Sequence, residues 1–241
     1  MRAAALAALE QVPMFATHSC PEDTFISSRL WLARTDPDAE NRQVADRLWD
    51  VYGHGLNPQY LDQLLPLLSI AESAMRSSVA TALAAGVKEL QPDNAQTLLK
   101  RLFVAFVDAL PAVAQKEGKI KDPASNTRSG VALTLQASAE DGVLSQDDVI
   151  AVFDFLLKTA LTDPNTEVRQ QLVQAGVDII NTHPTESINL LMPKFDSVLT
   201  SSQEQKVREA VVVFLGAVGQ HLPEESPKVS SIVDSLIEGK K

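Results

Sequence analysis

The side chains able to do chemistry in this sequence are few and scattered. The four histidines, His18, His54, His183 and His221, lie far apart, each in or beside a stretch of turn composition; Gly53-His54-Gly55 is the clearest. None falls in the HxxxH or HExxH spacing that sets two imidazoles on one helix face for zinc. Cys20 is the single cysteine, so an internal disulfide and a multi-cysteine metal site are both excluded, which fits a reducing, cytoplasmic compartment. Nothing beside it would activate a thiolate, and it reads as a small residue near a loop. No GxxxxGK[ST], GxGxxG or GxSxG run occurs, so neither a phosphate-cradling loop nor a nucleophile elbow is present. Asp147-Asp148 and Glu224-Glu225 are adjacent carboxylates at expected helix starts, where negative charge complements the helix dipole. Ser145 to Val149 has some likeness to a calcium loop but lacks its glycine and closing glutamate. These residues point to no catalytic group, no cofactor and no metal.

The residues that do recur are arginines. Arg42, Arg76, Arg128, Arg169 and Arg208 each sit near the start of an amphipathic segment, and Arg2 occupies the same place in a first, shorter one. The intervals from Arg2 onward are 40, 34, 52, 41 and 39 residues. Four of them lie near the roughly 40-residue period of HEAT-like repeats. The long interval contains an inserted polar stretch, Gln115 to Pro123. Because a guanidinium is a planar fork of donors, two roles fit. One is structural: hydrogen bonds or ion pairs to turn carbonyls or to an aspartate of the preceding repeat, fixing register. The other is a row of anion contacts along a concave face. A local basic spot lies around the insertion, at Lys100, Arg101, Lys116, Lys119, Lys121 and Arg128. It reads either as a solvated loop or as a contact to RNA phosphate or an acidic protein, with Lys116, Lys119 and Lys121 the candidate contacts.

The elements that position these residues are helices in pairs. After each arginine, apolar residues continue at helical spacing: Val168, Leu172, Ala175 and Ile179, then Val207, Val211, Leu215 and Val218. Pro13, Pro92, Pro184 and Pro223 follow these stripes and mark the turn to the next repeat. The first helices of two pairs carry a proline after an apolar pair, Pro66 and Pro193, which predicts a kinked outer helix. In Asp36-Pro37-Asp38 and Asp163-Pro164-Asn165, the aspartate is expected to cap a helix that the proline begins. The expected layout is a partial repeat at 1–12, pairs at 22–52, 57–90, 93–139, 145–182 and 185–221, and a further partial repeat at 226–241. The fold class is all-α, an α-α superhelix of the HEAT type wound as a right-handed solenoid. Both ends fall inside repeats rather than at polar caps, so a piece of a longer array is expected.

Composition agrees. Apolar residues make up 45% of the chain and aromatics 5%, a Leu/Ala/Val mixture suited to helix-on-helix packing. The net charge of −10 gives no broad basic footprint for nucleic acid. No run approaches the roughly 20 apolar residues of a membrane span.

The wording of 165–228 is more specific than a helical period. Asn165-Thr-Glu-Val-Arg-Gln-Gln-Leu, Ile-Ile-Asn181-Thr-His183, Asn189-Leu-Leu-Met-Pro-Lys-Phe-Asp-Ser-Val-Leu and Val207-Arg-Glu-Ala-Val-Val-Val-Phe-Leu-Gly-Ala-Val-Gly-Gln-His221-Leu, with Pro227-Lys-Val, resemble the general-control translational activators. Trp31-Leu-Ala-Arg-Thr-Asp-Pro and Arg47-Leu-Trp49 resemble the same family more loosely. These are giant ribosome-associated HEAT-repeat proteins of the amino-acid-starvation response, and the likeness falls where their region similar to fungal elongation factor three begins. The resemblance implies a non-enzymatic scaffold that binds stalled ribosomes and supports the kinase of initiation factor two. It implies as partners the ribosome, with a possible rRNA contact, an ATP-binding-cassette protein, and the kinase, gripped through another region. It brings no ATPase, since the chain has no Walker motif, and it carries no individual binding residue onto these positions. The alternative is a HEAT adaptor of another class, a transport receptor or phosphatase scaffold binding protein cargo.

Overall fold

Leu- and Ala-rich segments with one apolar stripe have to bury that stripe against another helix, and a chain made of them stacks. The computed structural model describes residues 2–12, 23–52, 55–90, 94–111, 122–184 and 187–222, and all regular secondary structure among them is helical. The helices are α1 (Arg2–Glu10), α2 (Asp23–Ala33), α3 (Ala39–Tyr52), α4 (Tyr60–Leu64), α5 (Ser73–Leu90), α6 (Asn94–Asp108), α7 (Ser125–Glu140), α8 (Gln146–Lys158), α9 (Thr166–Thr182), α10 (Met192–Ser201) and α11 (Gln205–Gly219). The expected partial repeat at 226–241 lies outside the described residues.

From α5 onward the second helices form one row: α5 packs on α7, α7 on α9, and α9 on α11. The first helices pack beside it: α4 on α5, α6 on α5 and α7, α8 on α9, and α10 on α11. One apolar core runs through this body from Trp31 to Val218. Glycines let helices meet closely, a first and a second helix in one case and two successive second helices in the other. A Cβ on Gly86 would stand 2.4 Å from the Tyr60 ring, and one on Gly176 would stand 2.5 Å from the Phe214 ring. The Tyr60 hydroxyl donates to Leu83 O at 3.0 Å, and the buried rings of Phe153, Phe195 and Phe214 pack edge-on and offset at 5.3–5.7 Å.

The row is interrupted at its N-terminal side. α1 packs on α3, and α2 packs on α3, α4 and α5, while α3 has no comparable contact with α5. α2 therefore faces two cores. Leu30 belongs to a separate cluster with Leu6, Ala45, Leu48 and Tyr52, while Trp31 and Leu32 belong to the main core. Its Ser27 and Ser28 are also fully buried. The Trp31 indole donates to Ala82 O at 2.8 Å, and Thr35 Oγ1 donates to Ser78 O at 2.8 Å, so α5 takes hydrogen bonds from α2 and from the turn behind it. Trp31 and Trp49 pack with centroids 5.2 Å apart, and Arg34 lies over both rings at 4.8 and 5.3 Å.

The prolines change the helix type rather than bending a continuous helix. Pro66 stands where α4 gives way to a 3₁₀ segment, Leu65–Ser69. Pro193 stands just after a π-helical turn, Ser187–Leu191, hands over to α10. A residue with no N–H removes one helical bond, and the neighbouring turns reform with a different spacing. α7 ends in a Schellman motif: Gly142 takes φ +65°, Val143 N–H bonds Ser138 O and Gly142 N–H bonds Ala139 O.

Candidate functional site

Each of the five arginines is the fourth residue of its helix: Arg42 of α3, Arg76 of α5, Arg128 of α7, Arg169 of α9 and Arg208 of α11. At that position a long side chain reaches back over the helix start into the turn before it. Three of them make the same bonds. Arg42 Nη1 donates to Asp36 O at 2.6 Å and Pro37 O at 3.1 Å. Arg76 Nη1 donates to Ile70 O at 2.6 Å and Ala71 O at 3.3 Å. Arg169 Nη1 donates to Asp163 O at 2.6 Å and Pro164 O at 3.0 Å. The acceptors always lie six and five residues upstream, so the arginine clamps the turn between first and second helix. Arg208 is half-buried and makes no such bond among the described residues.

The two Asp-Pro turns are built alike, but their caps differ from the sequence expectation. Asp163 Oδ1 accepts from Asn165 N at 2.8 Å, and Asn165 Oδ1 accepts from Glu167 N and Val168 N. Asp36 Oδ1 accepts from Asp38 N, and Asp38 Oδ1 from Glu40 N, both at 2.9 Å. The cap of α9 is thus Asn165, and the helix begins at Thr166, not at Pro164. The aspartate before the proline folds the turn and stays buried, with 1% of Asp163 and 3% of Asp36 exposed. Asp148 closes a capping box with Ser145 at the start of α8, which explains one of the paired carboxylates.

Arg128 departs from the shared pattern because the insertion precedes it. Its side chain is fully buried. Nη1 donates to Ala109 O at 2.6 Å, just past the end of α6, and Nη2 to Asp122 Oδ2 at 2.5 Å, on the far side of the insertion. Nε and Nη2 reach Asp163 Oδ2 and Oδ1 at 2.6 and 3.3 Å. Burial opposes the charge, but the hydrogen bonds and attraction of Asp122 and Asp163 outweigh it and hold the guanidinium above its ordinary value. One side chain thereby ties both stems of the insertion to the next repeat. The cross-repeat carboxylate belongs to the following repeat, not the preceding one as expected, and the same direction appears in Arg2, whose Nε meets Asp36 Oδ2 at 2.7 Å. In Arg76 the cross-repeat acceptor is Asn126 Oδ1, at 3.4 Å.

A second set of ties also spans one repeat each. Arg101 Nη2 meets Asp62 at 2.6 Å, and Lys194 Nζ meets Asp154 at 2.5 Å. His221 Nε2 lies 2.9 Å from Asn181 Oδ1, and His183 Nε2 donates to Leu144 O at 3.0 Å. These histidines therefore link repeats rather than meeting each other, and no cluster of three or more His, Cys, Asp or Glu side chains occurs among the described residues. His18, His54, Cys20 and Glu224-Glu225 lie outside them.

The basic spot is smaller than the sequence implies. Arg128 is buried and Arg101 is paired, which leaves Lys100 exposed; Lys116, Lys119 and Lys121 lie outside the described residues. Sequence reading marked Asp36 and Asp163 as caps but missed their spacing: Asp36, Asp122 and Asp163 each lie six residues before a repeat arginine.

A stack of helix pairs tied at one-repeat intervals is a repeat-solenoid geometry, and comparison with known proteins identifies its family. The family described as "Stalled ribosome sensor GCN1, HEAT repeats" matches residues 19–220. The chain belongs to the GCN1 HEAT-repeat family. It is 36% identical to Protein ILITYHIA of Arabidopsis thaliana over 99% of this chain, and 31% identical to the human stalled ribosome sensor GCN1 over 87%. It is 28% identical to the eIF-2-alpha kinase activator GCN1 of Saccharomyces cerevisiae over 88%. The chain spans 8–9% of the length of these relatives. No solved structure matches it. The GCN1 match makes the all-α solenoid one of HEAT repeats, and no helix among the described residues is long and apolar enough to cross a membrane.

Proposed function

We propose that this chain is a non-enzymatic scaffold segment of a translational activator that binds stalled ribosomes and supports activation of the eIF-2-alpha kinase in the cytoplasm during amino-acid starvation. The observation that carries the reading is the GCN1 family match over 19–220. The tied helix pairs support it, because a stack held at successive turns keeps distant binding regions at a fixed separation. The partners on this reading are the ribosome, with the kinase and an ATP-binding-cassette protein engaged through other regions of the parent. Lys116, Lys119 and Lys121 are the proposed contact to rRNA phosphate, and the exposed Lys100 belongs to the same basic spot of the sequence. No observation favours the transport or phosphatase adaptor.

The test is ribosome cosedimentation of the full-length parent carrying glutamates at Lys116, Lys119 and Lys121, with phosphorylation of initiation factor two on starvation as second readout. Cosedimentation is expected to fall and to become less salt-sensitive. Unchanged cosedimentation at every salt concentration refutes the lysine contact. Unchanged starvation signalling after replacement of the whole segment by an unrelated solenoid of equal length refutes a specific role beyond spacing.

A further inference from the structure

The residue six places before each repeat arginine is a seat for register ties. It is Asp36 before Arg42, Asp122 before Arg128 and Asp163 before Arg169. Ile70 holds the place before Arg76, and Ser202 holds it before Arg208. Arginines reach a carboxylate at this seat from two sides. From its own repeat, Arg128 Nη2 holds Asp122 Oδ2 at 2.5 Å. From the preceding repeat, Arg2 holds Asp36 at 2.7 Å and Arg128 holds Asp163 at 2.6 Å.

Ser202 folds its turn as those aspartates do but lacks their charge. Its Oγ accepts from Glu204 N at 3.2 Å, two residues on, just as Asp36 Oδ1 accepts from Asp38 N and Asp163 Oδ1 from Asn165 N. Arg208 stands to it in sequence as Arg128 stands to Asp122, and Arg169 lies one repeat before it, as Arg128 lies before Asp163. Arg169 Nη1 is anchored on turn carbonyls, as Arg128 Nη1 is on Ala109 O. A groove of about 350 Å³ opens between α9 and α11, and Thr166, Arg169 and Lys206 line it beside the two helix starts, so there is room here for an added group. Ser202 is half-buried, with Ser201, Gln203 and Glu204 exposed around it. Pro37 and Asp38 are likewise exposed in the Asp36 turn, which has a repeat on either side, so a stacked neighbour does not close such a turn.

We infer that Ser202 is a phosphorylation site, whose phosphate takes the place of the turn aspartate and is gripped by Arg208 of its own repeat and Arg169 of the preceding one. A serine kinase moves the terminal phosphoryl group of ATP onto Ser202 Oγ. The Oγ–P bond forms, the bond to the leaving ADP oxygen breaks, and the hydroxyl proton passes to the base of the kinase. No Lys or Arg precedes Ser202 more closely than Lys194, no proline follows it directly, and Glu204 stands two places on, so the kinase it fits is acid-directed. A phosphoserine brings a charge of about −1.5 to −2 and three acceptor oxygens, enough for two guanidinium forks. The tie that Asp163 makes permanently between α7 and α9 thus becomes one that can be switched on between α9 and α11.

Two measurements test this. The full-length parent is isolated from fed and from amino-acid-starved cells with phosphatases inhibited, and peptides containing Ser202 are quantified by mass spectrometry; phosphate is expected in at least one state. Phosphoserine is then placed at position 202 of the 241-residue chain by genetic encoding. Its phosphate, followed by phosphorus NMR, is expected to titrate about one unit below the ordinary value of about 6, because the guanidiniums favour the dianion. Arg208→Gln and Arg169→Gln are each expected to return part of that shift. Phosphorylation is expected to raise Tm by roughly 2–4 °C in the unsubstituted chain and by less in Arg208→Gln. Circular dichroism checks each fold, and Arg208→Gln alone carries the comparison if Arg169→Gln unfolds. Absence of phosphate at Ser202 in both states overturns the inference. So does a phosphate that titrates at its ordinary value, a shift that the substitutions leave unchanged, or a Tm that phosphorylation leaves unchanged or lowers.

Discussion

Replacing Arg128 by methionine removes the charge while keeping most of the volume. Two carboxylates then lose their partner: Asp163, whose side chain is fully buried, and Asp122, which is 14% exposed. Asp163 keeps the bond from Asn165 N, so it is not left wholly unsatisfied, but nothing neutralises its charge. Removing one member of a buried ion pair costs about 3–5 kcal/mol, and the lost bond to Ala109 O adds roughly 1 kcal/mol. Against a total stability of roughly 5–15 kcal/mol for a domain, this is a large fraction. The assay is urea denaturation of Arg128→Met, Asp163→Asn and the double variant, followed by circular dichroism. The double variant should recover part of the loss, with a coupling of about 1–3 kcal/mol. Hydrogen exchange should show the ends of α6 and α9 opening together in Arg128→Met, since the guanidinium bonds both Ala109 and Asp163. A single-variant loss under about 1 kcal/mol, or additive single losses, would refute the reasoning that this one side chain ties the insertion to the next repeat.

Arg169→Ala should lower stability by about 1–3 kcal/mol, because Nη1 holds two turn carbonyls, whereas Arg208→Ala should change it by less than roughly 0.5 kcal/mol; thermal melting separates the two. Gly176→Ala drives a methyl into the Phe214 ring and should cost about 1–3 kcal/mol, while Gly216→Ala, on open surface in α11, should be neutral or stabilising by up to about 1 kcal/mol in denaturant titration. Burial disfavours the ionised Asp154, but the bonds from Lys194 and Lys158 prevail and hold its carboxyl below the ordinary value of 3.8. Its stabilising effect is therefore present above that value and lost as pH falls through the lowered one. Asp154→Asn should remove that part of the acid dependence, at a cost within about 1 kcal/mol at neutral pH because the group is partly exposed.

The helix pairs were legible because each helix reports its own buried face. Val168, Leu172, Ala175 and Ile179 repeat at the helical period whatever they pack against, and the arginines mark where α3, α5, α7, α9 and α11 begin. What a period cannot report is which helix lies opposite. Tyr60 enters the gap left by Gly86, and Phe214 the gap left by Gly176, through contacts between distant segments that leave no trace in either helix alone. The same holds for α2. Leu30, Trp31 and Leu32 are consecutive buried residues, so α2 has no single apolar face, and periodicity could not show that it joins two cores. At the candidate site the arginine positions were readable, since spacing alone marks them. Their partners were only half readable: the turn carbonyls follow from chain geometry, but the pairing of Arg128 with Asp163 depends on how successive repeats stack.

The two cores meeting at α2 also decide how the chain bears load. Elements joined in series carry the same force, and extension gathers in the softest. From α5 to α11 the row shares one broad core, so a pull along it is spread over many interfaces. The α1–α3 block rests on the small cluster around Leu6, Leu48 and Tyr52, and passes its load to the row through α2, the Trp31 bond to Ala82 and the Thr35 bond to Ser78. Tension or twist applied to this segment is therefore expected to gather at α2, where the small cluster meets the broad core.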